Sequence, residues 1–91
     1  MKERKLSFAG VGAEMTFLRA ELLAGLTRAK IAQNTNDEHK RQRNRVEARK
    51  AYDAILRFLP QTSVSSEEKE QIDSQIAELK FVLASLGEDC Q

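Results

Sequence analysis

Ninety-one residues, 41% of them hydrophobic and 32% charged, fit one small domain around a single core and exclude a second. A formal net charge of +1 does not mark the whole chain as a polyanion binder, and no continuous apolar run matches a membrane span. With aromatics at 5%, one Pro, four Gly and no Trp, little is left for strands and tight turns, so the composition is that of an all-α chain.

The start, Met1 to Lys5 followed by Leu6 to Ala13, has the outline of a signal peptide: basic residues, then a short apolar stretch. Two Gly in that stretch and Glu14 directly after it argue against secretion, and residues 1–12 read as a loose leader because Gly10 and Gly12 discourage a helix. Met15, Leu18, Leu22, Leu26, Ala29 and Gln33, joined by Gly25 and Ala32, then recur at spacings of three and four. That spacing stacks side chains on one face and predicts a helix over about 13–34. Asn34 to Asp37 reads as a turn, with Thr35 or Asn36 capping a second helix over about 37–59. Its apolar stripe is Ala48, Ala51, Tyr52, Ile55, Phe58 and Leu59, and Pro60 ends it. Ser65 and Glu68 match a capping box, opening a third helix over about 66–86 along Ile72, Ile76, Leu79, Leu83 and Leu86. Gly87 stops it, and 88–91 read as a flexible tail. Short connections between three comparable helices predict an antiparallel up-down-up three-helix bundle over 13–87.

Charge is unevenly spread along this plan. Residues 1–35 carry six Lys or Arg against three acids, 36–60 carry seven against four, and 61–91 carry two against seven. The flanks of the basic second helix and the acidic third are expected to attract each other, although exposed pairs contribute only about 0–1 kcal/mol each.

Within the second helix, Ala48-x₃-Tyr52 with Ile55, Leu56 and Pro60 resembles the second helix of a tetratricopeptide repeat, whose small, aromatic and closing Pro positions share that spacing. The preceding positions depart from the pattern, since Ala32, Thr35, Asn36 and His39 stand where that repeat has Trp, Leu, Gly and Tyr. Three comparable helices with a Tyr-x-x-Ile-Leu segment are also similar to microtubule-interacting-and-trafficking-type bundles. That resemblance implies a groove that binds a partner helix.

The residue inventory disfavours catalysis. His39 is the only histidine and Cys90 the only cysteine, so no internal disulfide forms, no zinc ligand set assembles, and a reducing, cytoplasmic setting is expected. No Gly-rich phosphate loop or nucleophile constellation appears, and no cofactor is implied. Arg43, Arg45, Arg49, Lys50 and Arg57 form a candidate basic patch on the second helix, which would neutralise phosphates in a weak nucleic-acid-binding reading. Glu47 and Asp53 interrupt it and no aromatic residue stands among the cations to stack a base, so nucleic acid is disfavoured. A stronger pointer is apolar residues on reverse faces: Phe17, Ala20, Ala24 and Ile31 opposite the first helix's stripe, and Phe81 opposite that of the third. These residues are the candidate partner surface of a small non-catalytic interaction or assembly module, binding a protein partner or self-associating, for instance as a homodimer, without a membrane role. Gly25 is expected to sit under Tyr52 or Phe58.

Overall fold

A computed structural model describes the backbone of residues 2–90 and the side chains from Glu14 onward; Met1 and Gln91 lie outside the described residues. Three α-helices follow one another, α1 (Lys2–Asn34), α2 (Glu38–Phe58) and α3 (Ser66–Ser85), with a short 3₁₀ turn at Leu59–Gln61 and no strand among the described residues. The second and third helices fall within a residue of their expected bounds. α1 starts well ahead of residue 13, so the segment expected as a leader is helical backbone. Two Gly cost only about 0.5–1 kcal/mol each relative to Ala, and a helix already nucleated over Leu18 to Asn34 propagates one hydrogen bond per residue added.

Local chemistry sets the helix ends. Asp37, rather than Thr35 or Asn36, caps α2, its carboxylate accepting from the His39 and Lys40 N–H groups at 3.0 and 3.2 Å. Thr35 instead accepts from the Asp37 N–H, fixing the turn before the cap. Ser65 and Glu68 form the reciprocal capping box, and this hydrogen bond from the Ser65 N–H holds the Glu68 carboxyl below the usual carboxylate range. α3 ends with Gly87 at φ +93°, its N–H donating to Ala84 O and that of Glu88 to Leu83 O, each at 3.0 Å. That pair of bonds needs a left-handed residue, which Gly adopts without a Cβ penalty.

The core joins Met15, Leu18, Leu22 and Ala29 of α1, Ala48, Tyr52 and Ile55 of α2, and Ile72, Leu79, Val82 and Leu83 of α3. Leu26, Leu59, Ile76 and Leu86 pack against it partly exposed, and Gln33 is exposed, donating to Ser85 Oγ at 3.4 Å. Phe58 departs from expectation. It is 38% exposed, because the chain turns away at Pro60 and leaves the last turn of α2 at the margin of the core. Gly25 is buried, and a Cβ there would lie 3.0 Å from a Leu79 methyl and 3.2 Å from Ala51 Cβ. The close approach is therefore made by Leu79 and Ala51, not by Tyr52 or Phe58. Across the molecule Phe17 meets Phe58, Gly25 meets Ala51, and Arg41 Nε donates to Ala32 O; Arg19, Lys30 and Gln33 meet Glu68, Glu78 and Ser85.

Candidate functional site

The exposed apolar residues divide by helix rotation. At about 100° per residue, Arg19 and Lys30, which reach α3, lie roughly 120° around α1 from Ala24 and Ile31. The stripe Phe17, Ala20, Ala24 and Ile31 therefore faces away from α3, on the open side of the α1–α2 pair. Phe17, 41% exposed, meets Phe58 edge to face at 5.5 Å between ring centroids, the favoured arrangement for two aromatic quadrupoles. Glu14, Gln61 and Thr62 join these rings around a groove of about 310 Å³. A second hollow of about 660 Å³ lies at the α1–α2 turn, lined by Ile31 and Lys40 and extending around α1 through Thr27 and Asn34 to Lys30 on the side nearer α3. Ala20 and Ala24, both exposed, form the low ground between the two, and Ile31 is half-buried. Phe81, 73% exposed, stands apart from this surface on the outer side of α3.

Leu23, 69% exposed, is a surface residue that the sequence pattern did not single out. Its wheel position, about 120° from the centre of the buried stripe and close to Lys30, was the available signal.

The basic patch does not hold together. Glu88 draws Arg45 and Arg49 toward the segment after α3, at 3.4 and 3.2 Å, and Arg49 also donates to Asp89 O at 3.0 Å and to Asp53 Oδ1 at 3.1 Å. The Arg49 guanidinium stacks 5.9 Å from the Tyr52 ring centre, and its pKa is raised, chiefly by the bond to Asp53. Arg45 Nε, though near Glu88 Oε2, is buried without a hydrogen bond. Lys50 pairs with Glu47 at 3.4 Å, while Arg43 and Arg57 are exposed and make no ion pair among the described residues. Where acids of α3 itself pair with another helix, the partner is α1 and not α2: Glu68 with Arg19 at 3.5 Å and Glu78 with Lys30 at 3.1 Å. Arg41 has a structural task that sequence spacing did not reveal. Its guanidinium donates to Ala32 O and Thr35 O at 3.3 and 2.7 Å, satisfying carbonyls at the end of α1.

The residues expected as a tail are engaged. Glu88 is mostly buried, and Cys90 packs on the core 3.9 Å from Arg49 Nη1, with burial pushing its thiol above the usual range. Burial likewise raises the Tyr52 hydroxyl. Among the described residues no group of three His, Cys, Asp or Glu is placed to hold a metal, and no helix is long and apolar enough to cross a membrane. His39 is exposed at the start of α2. No family model, curated protein or solved structure matches the chain.

Proposed function

We propose that this chain is a small non-catalytic interaction or assembly module, an antiparallel up-down-up bundle working in a reducing, cytoplasmic setting. The pairings of Phe17 with Phe58 and Gly25 with Ala51, against Arg19 with Glu68 and Lys30 with Glu78, support α1 running opposite to α2 and along α3. The single observation that carries the functional reading is the grooved apolar face of α1 and α2, from Phe17 and Phe58 across Ala24 to Ile31, with Glu14 at its Phe17 end, Lys40 at its Ile31 end and the exposed cations Arg28, Arg43 and Arg57 on the two helices that form it. An amphipathic helix laid in such a groove buries its apolar side chains at about 1.5–3 kcal/mol each, and these cations steer acidic partners toward it.

The reading is tested by fluorescence anisotropy with a synthetic acidic amphipathic helix, apolar at every third and fourth position, against a scrambled control. Binding in the micromolar range is expected, weakening with salt and falling about tenfold in Phe17→Ser. Equal binding of the scrambled peptide, or none of either, overturns it. Submicromolar affinity for duplex DNA or RNA at physiological salt would instead favour the nucleic-acid reading, which the commitment of Arg45 and Arg49 to Glu88 weakens.

A further inference from the structure

The grooved face has a counterpart on the same molecule. α3 turns Ile72, Leu79 and Leu83 inward, so at about 100° per residue Glu67, Glu70 and Phe81 share its outer side, all of them exposed. Because α3 lies against the side of α1 away from the groove, the two surfaces stand back to back. The chain segments that carry them differ in charge. Residues 61–91 carry seven acids against two bases, and residues 1–60 carry thirteen bases against seven acids. Among the described residues neither Glu67 and Glu70 on one surface nor Arg28, Arg43 and Arg57 on the other make an ion pair.

We propose that the occupant of the groove is α3 of a second copy of this chain, with Phe81 seated over Ala20 and Ala24 between Phe17 and Ile31. The proposal rests on the interaction-module reading and names the partner. Small residues between two larger ones leave a recess for one ring, and Glu70 and Glu67, about 16 and 21 Å along α3 from Phe81, meet cations toward one end of the face. An isologous dimer would use one patch twice; here two different patches meet, so each added copy still presents a free surface and association continues into a chain or closes as a ring. One helix face per partner is a small interface, at or below the low end of the standard size, which places the association in the micromolar range or weaker.

Sedimentation velocity of the full chain under reducing conditions, from about 10 μM to 1 mM, tests this, the range being set by the size of the interface. Reduction keeps Cys90 from linking copies covalently. Wild type is expected to grow in mass with concentration without stopping at a dimer, and to revert to monomer at about 0.5 M salt. Phe81→Ser removes the knob and Ala24→Glu fills and charges the recess; each variant alone is expected to stay monomeric. Mixed in equal amounts, one retains the recess and the other the knob, so a 1:1 dimer forms and growth ends there. Both sites are exposed, and circular dichroism checks that helicity is kept; Glu70→Lys, expected to weaken association several-fold at low salt, repeats the test with an unchanged apolar surface.

A wild type that stays monomeric throughout, assembly that survives in both variants, or a mixture that fails to associate overturns the proposal. The acidic peptide titrated onto Phe81→Ser, whose groove is intact, separates the two readings. Peptide binding without self-association sinks the second-copy proposal and leaves the module standing, whereas the absence of both sinks the pair.

Discussion

α1 makes two seams of different construction. Toward α2 the contact is close and built on small residues, with Gly25 against Ala51, Ala29 and Ala32 fully buried, and Phe17 on Phe58 only at the rim. Toward α3 it is built on large side chains, Leu22 with Leu79, Val82 and Leu83 in one cluster, flanked by the exposed pairs Arg19–Glu68 and Lys30–Glu78. α2 and α3 touch least, and the Glu88 carboxylate shared by Arg45 and Arg49 spans the gap between the body of α2 and the segment after α3. The difference teaches that shape fixes the first seam while bulk burial holds the second, with charge adding orientation at its edges.

Leu79 touches both seams, so its truncation should have the largest effect. Leu79→Ala is expected to cost about 2–5 kcal/mol, read from the urea midpoint, because the side chain is fully buried. Ile76→Ala, half-buried on the same helix, should cost about half as much. Equal losses would mean that α3 is seated at a different rotation.

The small-residue seam is broken by bulk instead of by loss. Gly25→Val should cost about 1–3 kcal/mol, since the added methyls meet Leu79 and Ala51. Gly25→Ala sharpens the comparison: it sets a helix-propensity gain of about 1 kcal/mol against a Cβ 3.2 Å from the backbone-fixed Ala51 methyl, and a net loss is expected. A stabilised Gly25→Ala protein would show that the seam has slack.

Charge should matter least. Glu88→Gln is expected to lower the melting temperature slightly at low salt and not at about 1 M, where the screening length is near 3 Å. It should also speed alkylation of Cys90 by loosening the segment that covers it. At the other end of α3, the Glu68 pKa is depressed in the fold. Its contribution is therefore present above the ordinary carboxylate range, near pH 4, and is lost as pH falls through the lower folded value. Glu68→Gln, which keeps an oxygen for the Ser65 N–H, should flatten the acid limb of a stability–pH curve and leave its neutral plateau nearly unchanged. Cys90 runs the opposite way: its raised pKa favours the neutral thiol, so its contribution is present below the ordinary thiol range and fades as pH rises through the folded value. An unaltered alkaline limb in Cys90→Ala would show that the thiol is not held in the fold.

Helix number, the Ser65 box, the Gly87 stop and most of the buried stripes, though not buried Val82 and Asn44, were legible in the sequence because each depends on residues within about four positions of one another. The exposed stripe Phe17, Ala20, Ala24 was legible for the same reason, as the complement of a stripe already found. Other features were settled only when each helix acquired a rotation about its axis and a neighbour. These include Phe58 at the margin, Arg41 on the end of α1, Leu23 on the surface, and the basic patch divided by a carboxylate some forty residues away. Periodicity specifies which face of a helix is apolar, but not which of its edges meets which partner. That choice comes from packing side chains between helices, where Gly25 admits Ala51 and Leu79 together, and so only the tertiary structure decided which edge of each apolar stripe is covered and which cations of α2 are drawn to Glu88.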